Sequence, residues 1–333
     1  MKKHIALLFG GRGREHEVSL AGYKTLRRHL DSQKYRVTDV FIDKNGDFYI
    51  ENTDGEKYPT YPVRLLGKSG FLHGSKLITP DVVFPLLHGD FGEDGRVQGL
   101  LECSGLPFVG EGTRVGALAS DKAYTKAVAE RLGIPVSPYL VFRGGISGED
   151  AERAVSKTLP YPVFIKPTGL GSSFGAASAG SRAEFLAAYS AAASLGDVIV
   201  EGLIGNKREL ECAFLYYKGE RVVTPPAEIL LTGTYGYREK YKLGTRTKTV
   251  ADVTPEISRL AREYSLRLVS EIGIFSLSRI DFFLSGDKLI FNEINTLPGL
   301  TEDSMYLKML RTAGFTEECV TDALIERALE RVW

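Results

Sequence analysis

The first forty residues switch between two periodicities. "HIALLFGG" (4–11) is a short apolar run ending in glycines. "EHEVSLAGYKTLRRHL" (15–30) then sets Val18, Leu20, Tyr23, Leu26 and Leu30 near helical spacing, and "YRVTDVFID" (35–43) returns to a strand pattern. Strand, tight turn, helix and strand form a βαβ unit, whose crossover joins parallel strands. "DVVFPLLHG" (81–89) reads as a further buried strand and "GRVQGLLECSG" (95–105) as a helix stopped by Gly105, so an α/β unit closes near residue 110.

The remaining chain is too long for that unit alone: 333 residues exceed what one hydrophobic core normally holds, and two or three domains are expected. A second segment opens with a helix over 120–133, Ser120 as N-cap and Gly133 after its end. A strand at 160–167, an Ala-rich helix at 181–196 and a strand at 197–204 follow. The third segment predicts a strand pair from Arg208, a polar stretch at 232–249, a helix at 255–272, a hairpin at 277–295 and a terminal helix from Glu317.

Charge and cysteine usage exclude several classes. Forty-two basic and forty-two acidic residues leave no net charge, which argues against a nucleic-acid or anionic-membrane partner. Three widely spaced cysteines without a CxxC indicate neither a disulfide framework nor a structural zinc site. No run approaches the roughly 18 apolar residues of a membrane helix, and the apolar stretch after Met1 is too short for a signal peptide. The expectation is a cytoplasmic protein.

The hairpin carries the strongest chemical signal. In "SLSRIDFFLSGDKLIFNEIN", a three-residue loop over Gly286, Asp287 and Lys288 sets Asp281 opposite Glu293, on one face with Arg279 and Asn295; a two-residue loop would put the two carboxylates on opposite faces. On the odd register, two carboxylates and an amide oxygen converge, a donor set suited to Mg²⁺ held together with substrate phosphates. "FIKPTGLGSSFG" (164–175) complements it: a strand ends in Lys166, and a glycine-rich loop with Ser172 and Ser173 offers backbone amides to phosphate oxygens. It is not a Walker A loop.

At the N-terminus, Gly11 and Gly13 begin a dinucleotide fingerprint, but its third glycine falls on His16, so a nicotinamide enzyme is disfavoured. The following helix N-terminus suits a substrate carboxylate, and Glu17 at the same end an ammonium group; together they describe an amino acid. His88 closes a buried strand on the same sheet, and the basic, aromatic stretch 234–248 reads as a lid that excludes water.

Seven motifs in order, "LFGG…EHEVS", "FPLLHGDFGEDGRVQG", "SDKAYTK", "FIKPTGLGSSFG", "REKY", "SRIDFF" and "NEINTLPG", resemble the D-alanine–D-alanine ligases of the ATP-grasp superfamily over nearly the whole chain. The resemblance implies α/β and α+β architecture in three domains: a Rossmann-like parallel-sheet domain (1–112), a central lobe (113–205) and a C-terminal lobe (206–333) with the lid at 232–249. It implies ATP and two Mg²⁺, with Mn²⁺ as a substitute, and a homodimer.

By resemblance, Glu17 binds the first D-alanine's ammonium, with His88 near its carboxylate. Lys122 and Lys166 hold ATP phosphates, helped by Ser172 and Ser173, while Glu201 and Glu209 hold adenine and ribose. Asp281, Glu293 and Asn295 bind Mg²⁺. Lys240 meets the transferred phosphoryl group, and Ser172 and Tyr241 link to Glu17. Arg279 and the Gly299 amide stabilise the tetrahedral intermediate, and Ser304 and Met305 contact the second substrate. Leu307 replaces a proline usual in the family, and Glu302 and Asp303 add acidity beside the second subsite, which keeps a D-serine second substrate as the alternative. A non-catalytic nucleotide binder would lack the carboxylates or Arg279, and this chain has them.

Overall fold

The computed structural model of the chain describes residues 1–51, 57–65, 67–230 and 246–331. In chain order the elements are β1 (Lys3–Gly10), α1 (His16–His29), β2 (Tyr35–Ile42), β3 (Phe48–Glu51), β4 (Lys57–Leu65), β5 (Lys68–His73), β6 (Lys76–Ile78), β7 (Val82–Pro85), α2 (Arg96–Cys103), α3 (Thr113–Ser120) and α4 (Lys122–Arg131). They continue with β8 (Tyr139–Phe142), α5 (Gly148–Thr158), β9 (Val163–Pro167), β10 (Ala177–Ala179), α6 (Arg182–Ala193), β11 (Val198–Gly202), β12 (Arg208–Tyr217), β13 (Glu220–Val223), β14 (Ala227–Leu230) and β15 (Arg246–Lys248). The last are α7 (Pro255–Ile272), β16 (Leu277–Ser285), β17 (Lys288–Asn295), α8 (Met305–Thr312) and α9 (Glu317–Leu329).

Three sheets result. The first runs β6-β5-β4-β3-β2-β1-β7, and the parallel pairing that the βαβ reading predicts is present between β1 and its neighbours β2 and β7. Strands β3 to β6 extend it as an antiparallel meander, because short hairpin connections cannot carry a parallel crossover. Ser19 fastens the turn after β1: its hydroxyl accepts from the Gly10 N–H at 2.8 Å and donates to the Leu86 carbonyl at 2.6 Å. The loops after β1 and β7 therefore leave the sheet side by side.

The second sheet, β10-β9-β11-β8, is antiparallel, and α5 and α6 bury Val155, Phe185 and Tyr189 against it. The third runs β15-β14-β12-β16-β17, with β13 also on β12. The α7 boundaries follow the sequence reading: Thr254 caps the N-terminus, Pro255 opens the first turn, and Gly273 ends it at φ 83°. For α4 the N-cap is Asp121 and not Ser120: the Asp121 carboxylate accepts from the Ala123 and Tyr124 N–H groups, while Ser120 closes α3.

Ile5, Leu7, Val82 and Phe84 of the first sheet share one core with Tyr306, Leu310 and Leu324 of the last two helices. Tyr306 donates to the Phe214 carbonyl of β12 at 2.8 Å, which anchors that layer on the third sheet. Leu307 is buried there at 6% exposure.

The β16–β17 hairpin departs from the loop prediction in an instructive way. Ser285 pairs with Lys288, so the loop is the two residues Gly286 and Asp287, yet Asp281 still stands opposite Glu293. The register shifts between Asp281 and Phe282, which pairs with Phe291, and Asn292 is the extra residue of a β-bulge. The bulge supplies the odd residue assigned above to the loop. Deleting Asn292 should close the bulge and leave Glu293, now directly after Phe291, still opposite Asp281, so turnover should persist with an unchanged circular dichroism spectrum; a folded but inactive deletion would contradict the bulge assignment.

Candidate active site

Two cavities open between the sheets. One, about 310 Å³, is lined by Lys122, Lys166, Ser172, Ser173, Glu201, Glu209, Asp281 and Glu293 from the sequence-predicted set, with Phe164, Leu203 and Phe282 among its apolar walls. The other, about 440 Å³, is lined by His88, Ser172, Arg279, Glu293, Asn295, Gly299, Ser304 and Met305. They share Gly171, Ser172, Glu211, Ile229 and Glu293. Lys240 and Tyr241 lie outside the described residues.

The charges at the junction are arranged in rows across three strands. Glu211 of β12 pairs with Asp281 of β16, which pairs with Glu293 of β17; one pair along, Ala213, Arg279 and Asn295 align. Arg279 forms a bidentate pair with Asp281, both bonds 2.8 Å, and its Nε lies 3.3 Å from Glu211. Burial alone would lower the Arg279 pKa, but Asp281 and Glu211 outweigh it and raise it well above its ordinary value. Glu293 is met by Lys122 at 3.4 Å. Among the described residues no three His, Cys, Asp or Glu side chains form a ready metal cluster. Asp281 lines the 310 Å³ cavity, Asn295 the 440 Å³ cavity and Glu293 both, so three hard oxygen donors stand where the cavities meet, which fits Mg²⁺ completed by phosphate oxygens.

Lys166 and the fully buried Lys126 both meet Glu201, at 3.1 and 3.3 Å. Burial tends to raise the Glu201 pKa, yet the two ammonium groups prevail and hold it below the usual carboxylate range. Lys126 itself is pulled down by burial. Lys122 also donates to the Leu170 carbonyl at 2.7 Å, tying the glycine-rich loop to the cavity floor. Ser172 and Ser173 both have positive φ, 52° and 58°, so successive residues of that loop occupy the left-handed region.

The loop meets the N-terminal unit at Glu15 and not at Glu17. Ser172 donates to Glu15 Oε1 at 2.6 Å, and Glu15 lines the 440 Å³ cavity. Glu17 is turned outward, its side chain 76% exposed beside Lys44. The reason is helical phase: Glu15 lies one turn before the buried Ser19 and continues toward buried Gly22 and Leu26, whereas Glu17 is about 200° around the axis. That spacing is visible in the sequence. Glu93, Lys126, Asn292 and Glu211 also line or support the two cavities and were missed by sequence reasoning; the first three lie inside motifs quoted above without being singled out, and Glu211 lies outside them.

His88 is buried, with Nδ1 3.1 Å from the Leu297 carbonyl and 3.8 Å from Glu93. Burial opposes its protonation, but Glu93 and Glu15 raise its pKa overall. Nε2 has no hydrogen-bond partner among the described residues. Of the two acids near the second subsite, Asp303 lines the cavity beside Lys308, while Glu302 turns away to Arg28.

Two family models match: "D-ala D-ala ligase N-terminus" over residues 4–111 and "D-ala D-ala ligase C-terminus" over 128–326. The chain belongs to the D-alanine–D-alanine ligase family. It is 40% identical to the D-alanine–D-alanine ligase of Solibacter usitatus over 338 residues, covering 99% of this chain and 97% of the relative. It is 36% identical to that of Ruminiclostridium cellulolyticum over 362 residues, covering 99% and 96%. Among solved structures it resembles the VanG D-Ala:D-Ser ligase of Enterococcus faecalis, TM-score 0.90 at 31% identity with 98% and 100% of the chains covered. The Coxiella burnetii D-alanine–D-alanine ligase gives 0.88 at 29%, covering 99% and 94%. The fold is therefore that of the ATP-grasp ligases, and the chain is an ATP-dependent ligase. No helix among the described residues is long and apolar enough to cross a membrane.

Two substitutions test this site. A Cβ at Gly89, whose φ is 64°, would collide with the Glu15 carboxylate, so Gly89→Ala should raise the KM for the first amino acid while nucleotide affinity holds. Lys126→Met should destabilise the fold by about 3 kcal/mol in urea unfolding, since it breaks a buried ion pair.

Proposed function

We propose that this chain joins two D-alanines into D-alanyl-D-alanine for peptidoglycan, using ATP to convert the first carboxylate to an acyl phosphate that the second amine attacks. The observation that carries this reading is the shared wall at Ser172, Glu211 and Glu293: a cation- and carboxylate-lined cavity adjoins one bearing Glu15, His88 and Arg279. A phosphoryl donor in the first and an amino acid in the second would meet there.

In this reading Glu15, in place of Glu17, takes the ammonium of the first D-alanine, and His88 Nε2 faces its carboxylate. Lys122 and Lys166 hold the phosphates, with the amides around Ser172 and Ser173; Glu201 and Glu209 serve the adenine and ribose. Lys240 and Tyr241, which lie outside the described residues, keep the roles the resemblance implies, toward the transferred phosphoryl group and Ser172. Asp281, Glu293 and Asn295 would hold two Mg²⁺, or Mn²⁺ in their place, which neutralise phosphate charge when bound. The Arg279 Nε and Nη2 are committed to Asp281, leaving Nη1 to work with the Gly299 amide on the developing oxyanion. Ser304 and Met305 receive the second D-alanine. The protein works in the cytoplasm as a homodimer, each protomer divided into units 1–112, 113–205 and 206–333.

The alternative second substrate is D-serine, which the exposed Asp303–Lys308 pair at the cavity mouth keeps in play. Phosphate release with ATP, Mg²⁺ and D-alanine alone, then with D-serine or D-lactate added, separates the readings. Turnover with D-alanine alone is expected. Faster release with D-serine would replace the first reading, and none with any substrate would sink both. Glu293→Gln should lower turnover by orders of magnitude with an unchanged melting temperature; full activity would overturn its assignment.

A further inference from the structure

Glu111 lies on the segment that leaves the first sheet, and it is 1% exposed. Its Oε1 accepts from the Ser276 and Leu277 N–H groups at 2.9 and 3.3 Å, and its Oε2 from the Phe275 N–H at 2.5 Å. Those residues lead into β16, and Arg279 follows two positions after Leu277. On its other side, the segment is bonded to the strand that leads to His88. Val109 donates to the Val83 carbonyl at 2.9 Å, and Val83 donates to Pro107 at 2.8 Å. One side chain thus joins the His88 strand to the Arg279 strand.

Burial pushes the Glu111 carboxyl up to about 6, so at neutral pH it is ionised and can accept all three bonds. Arg331 supplies the facing charge, donates to the Gly110 carbonyl and lies over the Phe108 and Phe275 rings.

The place of β16 within its own sheet does not need Glu111. Leu277 pairs with Leu215, Ser278 pairs with Phe214, and Tyr216 donates to the Ser276 carbonyl at 2.9 Å. What the carboxylate adds is the attachment of one sheet to another. Of the two cavities described above, the larger spans that attachment. The 440 Å³ cavity takes Glu15, His88 and Glu93 from the first sheet's loops, Val18 from α1, and Arg279 and Asn295 from the third sheet. The 310 Å³ cavity takes no residue before Lys122.

We propose that Glu111 is a positioning residue that sets the spacing between the two walls of the amino-acid cavity and leaves the nucleotide cavity untouched. The proposal rests on the ligase reading of the two cavities. If Glu111 only satisfied three buried amides, its loss would weaken the whole fold and both cavities together.

Glu111→Gln keeps one acceptor oxygen and turns an amide NH₂ toward a backbone donor; Glu111→Asp shortens the reach by one methylene and serves as the milder variant. For Glu111→Gln, the KM for D-alanine should rise roughly tenfold or more, as misplacement of reacting groups predicts. The Kd for Mg-ADP, by calorimetry, should stay within about twofold, as for a distant site, and amide exchange at Phe275–Leu277 should accelerate. Glu111→Asp should fall between this variant and wild type. An unchanged KM with faster amide exchange would overturn the proposal, as would D-alanine and ADP affinities falling in step with melting temperature. A wild-type protein inactive with ATP and D-alanine would sink the ligase reading; an active wild type with an unaffected Glu111→Gln would sink the positioning role alone.

Discussion

The structure depends most on how the third sheet carries three carboxylates in a row. Glu211, Asp281 and Glu293 sit on adjacent strands, and so much like charge on a partly buried face is unfavourable unless cations meet it. Arg279 serves Asp281 and Glu211, and Lys122, arriving from another element, serves Glu293. The arrangement stores negative potential at one wall and keeps the fold neutral around it. A phosphate-bound metal fits such a wall because cation and carboxylates exchange partners without leaving a buried charge unmatched.

Everything else brings groups to that wall. The turn after β1 is held by Ser19 so that Glu15 can reach the glycine-rich loop, where Ser172 closes the contact across the cleft. Lys126 and Lys166 share Glu201 and stiffen the floor of the first cavity. The 310 Å³ cavity is built within residues 122 to 293, while the 440 Å³ cavity depends on how the first sheet docks. The two cavities thus rest on different parts of the chain.

Much of this was legible beforehand. The βαβ opening, the α7 boundaries, the hairpin and the seven motifs are local patterns, carried by periodicity, caps and turn residues within a few positions of one another. The Asp281–Glu293 pairing follows from a two-residue loop and a bulge at Asn292, not from the odd loop that alternation alone suggests. Helical phase separates Glu15, which faces the cavity, from Glu17, which faces outward, and that spacing is present in the sequence. Glu211 and Glu111 carry no such signal, since an isolated charged residue in a sequence looks the same whether it ends up buried or solvated.

The sequence by itself determined β1, α1, β2, β7, α7 and the β16–β17 hairpin, because helix phase, strand alternation and short motifs are set by residues close along the chain. Tertiary structure alone decided which charges face one another, how a bulge returns Glu293 to the Asp281 face, and how Glu111 fastens one sheet to the next. Those outcomes depend on partners far apart along the chain, Leu277 lying 166 residues from Glu111. Such partners are selected by packing and desolvation of the whole core, and no local pattern records the choice.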